Sequence, residues 1–357
     1  MRLQRRQFTQ SLALGSATAT LTALPSIARA ATGTAGTDAW PRLVPPRLRA
    51  GDTLGLISPA NATYEREPMQ LATESLQALG FKVKLGDHVR GRYGQFGGSD
   101  AQRASDINNL FADDSVAGIM AVTGGSGCNR IVDRLDYDLI RRKPKFFGGF
   151  SDLTALINAI NRQTGLITFH CPVAVSEWNT FSVQHFKAMV MAAQTPVLRN
   201  PLSERGDNLV QTQDRISTLR GGRARGRLAG GNLAVLSSLA GSPYMPELRG
   251  GILFLEEINE YIYRVDRMLS TLRLCGALDH LAGVVIGKFT KCEPGEGNFG
   301  TLTLDEVFDD YFLPLQVPVF RGAMIGHIKR KFTLPVGAEV EIDADAGTLE
   351  LLHPAVL

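Results

Sequence analysis

Apolar runs and amphipathic segments alternate along the first half of the chain. "DTLGLISPAN" (52–61) predicts a buried strand that ends in a Ser-Pro turn. Similar runs, each leading into glycine, predict strands in "FKVKLG", "VAGIMAVTGG" and "KFFGGF". Helical periodicity predicts helices around Glu65–Leu79, in "DLIRRK", and in "SDAQRASDINNLFAD", which begins with a Ser-Asp cap. Strands that alternate with helices predict an α/β fold with a doubly wound parallel sheet.

The second half of the chain predicts another α/β domain. Between about 196 and 225 the hydrophobic periodicity is lost and Pro, Gly, Asp and Arg accumulate, which is typical of a linker. The strands "GGILFLEE" and "GVVIGKF" follow, with a long helix around Arg264–Leu278 between them and a second helix in "LDEVFDDYF". We therefore predict an N-terminal domain over 45–195, a linker over 196–225 and a smaller C-terminal domain over 226–357.

The first thirty residues resemble an export signal more than a folded segment. Arg5-Arg6 precedes a weakly apolar stretch that ends in Ala28-Arg29-Ala30, which predicts a twin-arginine signal peptide over 1–30. A disordered basic tail is the alternative interpretation. No other segment is apolar over the ~20 residues that a membrane-spanning helix needs. The expected location is the periplasm, and whether the signal is cleaved or kept as an anchor is open.

Composition and charge narrow the class of protein. With 44% hydrophobic and 20% charged residues, the chain can bury sizeable cores. A formal net charge of +3 is too small to indicate a nucleic-acid partner. The four cysteines show no paired spacing, and no H-E-x-x-H motif is present, so we expect neither a metal site nor a cofactor. One disulfide remains possible in an oxidising compartment.

Candidate chemistry lies where the predicted parallel strands end. Ser58, Gly124-Gly125 and Ser151 all follow strands, and doubly wound sheets place their sites at the carboxyl ends of strands. Ser151 also starts a helical pattern, so it is either a helix cap or a nucleophile held on a turn. A serine nucleophile needs a base and an orienting acid.

The sequence offers several bases and one clear acidic pair. His88, His170 and His327 each lie near a predicted strand end or tight turn, and the residues alone do not choose among them. Glu256-Glu257 ends a strongly apolar strand. The order serine, glutamate and His327 matches the Ser-acid-His order of α/β-hydrolases, although G-F-S-D departs from their G-x-S-x-G motif.

These motifs together resemble the LD-carboxypeptidase family of serine peptidases, which includes the microcin C immunity peptidases. The resemblance runs from about Gly51 to Val336. It is carried by "LISPAN", by the segment from "GQFGGSDAQR" to "GGFSDLTAL", by "GRLAGGNLAVL", by "LFLEEINEYIYRVDRML" and by "IGH". The family fold implies an N-terminal parallel α/β domain, a smaller C-terminal α/β domain, an active site between them and a homodimer.

The resemblance also implies roles for five residues. Ser151 corresponds to the nucleophile, Glu256 to the acid and His327 to the base. The backbone N–H groups of Gly125 and Asp152 would form the oxyanion hole. The implied reaction is metal-independent hydrolysis of the L,D-amide bond of a murein tetrapeptide, which releases D-Ala.

Three departures from the family pattern leave the substrate open. Thr123 replaces an Arg that many members carry before the two glycines, Ser126 replaces an aromatic residue after them, and Cys171 replaces the Gly of H-G-P. One alternative is a microcin-type immunity peptidase acting on a peptide or acyl-nucleotide amide. The other is a non-catalytic exported two-lobed binding protein.

Overall fold

A computed structural model describes residues 41–202, 207–296 and 300–357. The signal peptide predicted over 1–30 lies outside these residues. The described strands are, in chain order, β1 (Thr53–Ile57), β2 (Lys82–Leu85), β3 (Gly118–Ala121), β4 (Phe146–Gly149), β5 (Thr168–His170), β6 (Val197–Arg199), β7 (Ser217–Arg220), β8 (Arg223–Asn232), β9 (Ile252–Ile258), β10 (Gly283–Thr290), β11 (Val319–Arg321), β12 (Leu334–Val336), β13 (Glu339–Asp343) and β14 (Thr348–Leu351).

Helices connect most of these strands. The described α-helices are α1 (Arg66–Ala78), α2 (Asp100–Ala112), α3 (Tyr137–Arg142), α4 (Thr154–Thr164), α5 (Thr180–Phe186), α6 (Leu233–Ser237), α7 (Ile262–Leu274) and α8 (Leu304–Phe312). None of the helices in these ranges is long and apolar enough to cross a membrane.

The first sheet has the strand order β12-β5-β4-β3-β1-β2. Strands β1 to β5 run parallel, and α1, α2 and α4 connect successive members. The side chains of β3, β4 and β5 are fully buried, as expected for a parallel sheet covered on both faces. The predicted doubly wound parallel sheet is confirmed.

Strand β12 joins this sheet from the far end of the chain. It pairs antiparallel with β5, and Leu334 lies opposite His170. The sequence gives no local sign of this pairing, because β12 has only three residues and lies inside the predicted C-terminal domain. The two halves of the chain are therefore joined by backbone hydrogen bonds as well as by side-chain contacts.

The second sheet has the order β6-β14-β13-β8-β9-β10-β11-β7. Its centre, β8 to β11, is parallel, and its outer strands are antiparallel. Strands β6 and β7 come from the segment predicted as a linker, 196–225, so that segment is more structured than expected. Both are short edge strands with alternating exposed residues, which the hydrophobic pattern does not mark.

Helix boundaries follow the capping signals. Ser99 accepts a hydrogen bond from the Gln102 amide while the Gln102 side chain bonds the Ser99 amide, which forms the capping box at the start of α2. The predicted long helix, Arg264–Leu278, is wrong at both ends. Helix α7 begins at Ile262 and ends at Leu274, because Gly276 at φ 77° turns the chain out of the helix.

Candidate active site

Ser151 lies on a strained turn between a buried strand and a helix. It follows β4, starts a 3-10 turn over Ser151–Leu153 and precedes α4. Its φ of 64° lies in the left-handed region, which a non-glycine residue adopts at an energetic cost. No side-chain capping bond is present at the start of α4. Ser151 is therefore not acting as a helix cap, and the turn instead presents its hydroxyl at the end of the sheet.

A continuous chain of hydrogen bonds joins Ser151, His327 and Glu256. The Ser151 hydroxyl lies 2.9 Å from Nε2 of His327, and Nδ1 of His327 lies 2.7 Å from Oε2 of Glu256. With Nδ1 protonated, Nδ1–H donates to the carboxylate and Nε2 accepts from the hydroxyl. The structure thus brings together the three residues that the resemblance assigned to a triad, from the turn after β4, from β9 and from the segment before β12.

Two glycines allow these groups to approach one another. A Cβ atom added to Gly124 would lie 2.8 Å from the Cβ of Ser151. A Cβ atom added to Gly326 would lie 2.8 Å from Oε2 of Glu256, and Gly326 has φ 117°. Only glycine fits both requirements at the second position. The G-H sequence therefore has a steric reason, since the glycine lets His327 reach the buried carboxylate.

The carboxylate of Glu256 is buried and uses only part of its capacity to accept hydrogen bonds. Glu256 is fully buried, and among the described residues its Oε1 has no hydrogen-bond partner. A buried carboxylate with an unused acceptor interacts strongly with any positive charge nearby, because little water screens it. This arrangement is suited to stabilising an imidazolium that forms on His327.

Asp152, the residue after the serine, ties the glycine loop to the turn. Its carboxylate is buried and accepts a hydrogen bond of 2.8 Å from the amide of Cys128. Burial raises the pKa of Asp152, while hydrogen bonds from Cys128 oppose that rise. On the other side of the loop, the amide of Ser126 donates to Oδ1 of Asn61 at 3.1 Å. The loop that carries Gly125 is therefore held from both sides.

The two amides predicted to form an oxyanion hole lie on this frame. Asp152 is the second residue of the 3-10 turn, where amides have no acceptor within the helix. Gly125 lines the same cavity as Ser151. The structure places both residues beside the serine, and their role as donors to a reacting oxygen stays a prediction.

An open cavity of about 580 Å³ lies in front of the serine. That volume is within the range of small-molecule sites. Its walls combine the glycine loop, the triad face and two lysines. The lining residues are Asn61, Thr123, Gly124, Gly125, Phe150, Ser151, Val173, Val175, Ser176, Glu177, Ile258, Asn259, His327, Ile328, Lys329 and Lys331.

Two family models match the chain on either side of this site. The model of the LD-carboxypeptidase N-terminal domain matches residues 54–171, and that of the LD-carboxypeptidase C-terminal domain matches residues 225–342. This chain belongs to the LD-carboxypeptidase family. The predicted membership is confirmed, and with it a peptidase class. The domain boundaries at 45–195, 196–225 and 226–357 stay predictions.

Individual relatives of this LD-carboxypeptidase family member cover most of its length. A probable murein peptide carboxypeptidase of Bacillus subtilis (strain 168) is 34% identical over 84% of this chain and 91% of the relative. The structure of MccF in complex with glutamyl sulfamoyl guanosine matches with a TM-score of 0.78 and 28% identity, covering 88% of this chain and 100% of that chain. Muramoyltetrapeptide carboxypeptidase from Oxalobacter formigenes matches with a TM-score of 0.71 and 26% identity, covering 84% and 97%.

The other candidate bases lie outside the hydrogen-bonded chain. Nδ1 of His88 lies 2.8 Å from Oδ1 of Asp106, and the Ser58 hydroxyl donates to the carbonyl of Val89. His170 is buried behind the site, against Phe254, and burial lowers its pKa to about 3. Both of its ring nitrogens lack a partner among the described residues. Of the three histidines, the structure therefore places His327 against Ser151, a choice that the sequence alone left open.

The three departures from the family pattern have different locations. Thr123 lines the cavity, whereas the fully buried Cys171 thiol lies in the core behind it. Ser126 is exposed on the glycine loop. Of the three, Thr123 is the one in position to touch a bound substrate.

The cysteines Cys128, Cys171, Cys275 and Cys292 are all free thiols, which answers the open question of a disulfide.

Sequence reasoning missed Lys331, a buried lysine in the cavity wall. Only 6% of the residue is exposed, and its Nζ lies 3.8 Å from the centre of the Phe150 ring. Burial lowers the pKa of Lys331 to about 8, and the negative charge of Glu256 opposes that shift. The basic run "HIKRK" has the composition of a solvent-exposed segment, and no pattern in it marks the last lysine as buried.

Within the described ranges no group of His, Cys, Asp and Glu side chains is arranged to hold a metal ion.

Proposed function

We propose that this chain is a serine-type L,D-carboxypeptidase that removes D-Ala from murein tetrapeptides. The observation that carries the proposal is the hydrogen-bonded chain from Ser151 through His327 to buried Glu256, open to the cavity. A binding protein has no need of a serine hydroxyl held on a strained turn beside an oriented imidazole. That arrangement activates a nucleophile.

In the first half of the reaction Ser151 would attack the carbonyl carbon of the scissile amide. Nε2 of His327 takes the hydroxyl proton, and Glu256 stabilises the resulting imidazolium. The negative charge that develops on the carbonyl oxygen is met by the N–H groups of Gly125 and Asp152. The imidazolium then protonates the amide nitrogen, the C–N bond breaks and D-Ala leaves, with the remaining tripeptide esterified to Ser151.

In the second half water replaces D-Ala. His327 takes a proton from the water as it attacks the ester carbonyl, and the same two amides stabilise the second tetrahedral intermediate. The ester C–O bond breaks, Nε2 returns the proton to the Ser151 oxygen and the tripeptide leaves with a new carboxylate. No atom is supplied from outside except those of water.

The names of relatives support the murein substrate. They include the probable murein peptide carboxypeptidase of Bacillus subtilis and the muramoyltetrapeptide carboxypeptidase of Oxalobacter formigenes.

An exported enzyme would meet such peptides outside the cytoplasm, so we also propose the periplasm as its location. Lysine substitutions at Arg5 and Arg6 should then retain the precursor in the cytoplasm, which fractionation would show.

Removal of the proposed nucleophile tests the reaction. Ser151→Ala should lower kcat on a murein tetrapeptide by at least about 10³-fold, because the nucleophile is lost while the binding surface remains. Release of D-Ala is measured by coupled assay, and far-UV circular dichroism checks the fold. His353→Gln, an exposed site, serves as the control. Full activity of the alanine variant would contradict the mechanism.

The MccF match supports a second candidate function. MccF in complex with glutamyl sulfamoyl guanosine has the higher TM-score of the two structures compared above, 0.78 against 0.71. An immunity peptidase of that kind would cleave an amide in an acyl-nucleotide with the same triad. Assaying glutamyl sulfamoyl guanosine beside the tetrapeptide separates the two, since the better substrate has the larger kcat/KM.

A further inference from the structure

The largely buried side chain of Lys331 ends at the cavity without a charged partner of its own among the described residues. Among the described residues, no carboxylate lies within 4.0 Å of its Nζ, and its ammonium makes no hydrogen bond. Its backbone amide donates to the Ser182 hydroxyl, which fixes the main chain but gives the ammonium no direct partner. Burying a cation is costly unless an anion pairs with it. The missing anion is therefore expected from outside the chain.

The position of Lys331 limits what that anion is. Its Nζ sits 3.8 Å from the Phe150 ring centre, and the His327 ring centre lies 5.0 Å from that of the same ring. Lys331 and His327 thus contact one side chain, which directly precedes Ser151. Both line the same cavity. An anion bound by Lys331 would lie within a few bonds of the scissile carbonyl.

Neighbouring charges do not fill this role. Glu256, whose negative charge acts on Lys331, is already bonded to His327. Glu177 also lines the cavity, but it pairs with Lys329 at 3.2 Å, and both side chains are mostly exposed. The second lysine of the cavity is therefore already matched by a carboxylate, whereas the buried one is not.

We propose that Lys331 binds the C-terminal carboxylate of the substrate and so makes the enzyme specific for the last residue of a peptide. This inference rests on the proposed function. The terminal carboxylate carbon of a substrate is three bonds from the scissile carbonyl carbon, roughly 3–4 Å away. Lys331 is the buried lysine of the cavity wall, beside the Phe150 ring that His327 also contacts. An amide at the same position in a longer peptide would bring no negative charge to it.

The test crosses the enzyme variant with the charge of the substrate. Wild type and Lys331→Met are assayed on a tetrapeptide acid and on its C-terminal carboxamide, which differs only in that charge. Wild type should prefer the acid by about 10- to 100-fold in kcat/KM, the range of a charge-assisted hydrogen bond. Lys331→Met should lose this preference, mainly through the acid, while its rate on the carboxamide stays near that of wild type.

Matched variants separate charge from packing. Lys331→Arg keeps the charge and should keep the preference even if the rate falls. Lys329→Met removes the paired lysine of the same cavity and should also keep it. Equal losses on both substrates in Lys331→Met would show a structural role and overturn the inference. An undiminished preference for the acid in that variant would overturn it too.

A binding measurement separates this inference from the proposed reaction. Calorimetry compares the acid and the carboxamide on Ser151→Ala and on the double variant Ser151→Ala/Lys331→Met. If wild type releases no D-Ala but Ser151→Ala binds the acid more tightly through Lys331, the reaction is wrong and the carboxylate site stands. If release is seen and neither assay separates the acid from the carboxamide, the reaction stands and the carboxylate site is wrong.

Discussion

The two adjacent glutamates at the end of β9 have different surroundings. Glu256 bonds His327, whereas Glu257 accepts hydrogen bonds from the Asn232 side chain and the Ala234 amide at the start of α6. Burial raises the pKa of Glu257 to about 6. Successive side chains of a strand point to opposite faces, so one carboxylate serves the cavity and its neighbour supports a helix.

This contrast gives a prediction with a matched control. Glu256→Gln should keep the shape of the site but stabilise the imidazolium poorly, so kcat should fall by about 10²- to 10⁴-fold with little change in KM. Glu257→Gln removes the neighbouring charge and should leave kcat within a few-fold of wild type. Steady-state kinetics on the tetrapeptide measures both. Similar kcat losses in the two variants would contradict an orienting role that belongs to Glu256 alone.

At the scale of elements, the turn after β4 and the loop after β3 act as one unit. The Asp152 carboxylate bonds the Cys128 amide, so the loop that carries Gly125 moves with the turn that carries Ser151. The two proposed oxyanion donors are thereby kept at a fixed separation. Preorganised donors of this kind supply much of the stabilisation of a developing negative charge.

The prediction for this unit uses two substitutions at one position. Asp152→Asn retains an oxygen that can accept from the Cys128 amide, so kcat should change by less than about 10-fold. Asp152→Ala releases the loop, and kcat should fall by about 10²-fold or more, the loss typical of one oxyanion donor. Turnover on the tetrapeptide gives the ratio. An alanine variant as active as the asparagine variant would show that the loop holds its position without this bond.

Local elements of the fold were predictable because their signals are local. Runs that lead into glycine marked β2, β3 and β4, the Ser-Pro turn marked the end of β1, and the Ser99 cap marked α2. The short strand β12 and its pairing with β5 were not predictable, because contacts between distant segments leave no periodic pattern. The edge strands β6 and β7 fall within the predicted linker, because the hydrophobic pattern does not mark short strands with exposed residues.

The candidate site was predictable only in part. Position at strand ends marked Ser151 together with Ser58 and Gly124-Gly125. The choice of Ser151 as nucleophile, and of His327 over His170, came from the family resemblance. The structure shows why local sequence could not decide, since both histidines lie near the Phe150 ring and only one reaches the serine. Lys331 gave no signal, because burial of one lysine in a basic run depends on how distant strands pack.

At the scale of the whole molecule, buried histidine links folding to pH. His170 stays neutral in the folded chain down to a pKa of about 3, whereas the unfolded chain takes up a proton near pH 6.5. Between these values the unfolded state binds more protons, so stability falls as the pH falls. His185, whose pKa burial lowers to about 4, contributes in the same direction.

Replacing His170 should therefore flatten the acid limb of the stability curve. As the pH falls from 6 to 4, the free energy of unfolding should decrease less steeply in His170→Phe than in wild type. The difference in slope should be up to about 1.4 kcal/mol per pH unit. Urea unfolding at several pH values measures the slope, and pH 8 provides a reference at which both states of His170 are neutral. Parallel curves for the variant and wild type would contradict the role of His170 in the pH dependence of stability.

The homodimer implied by the family stays a prediction that sedimentation can check.

The pairing of β12 with β5 has a consequence for the order in which the protein is made. Strand β12, Leu334–Val336, follows His327 in the sequence, and it pairs with a strand whose residues are made much earlier. Until β12 has been synthesised, the sheet beside Ser151 has an open edge at β5, and His327 is not yet in place. Folding that starts at the N-terminus during synthesis therefore cannot complete the site before β12 joins the sheet. A nascent chain that stops short of His327 should be inert, so hydrolytic activity should begin only after β12 has paired with β5.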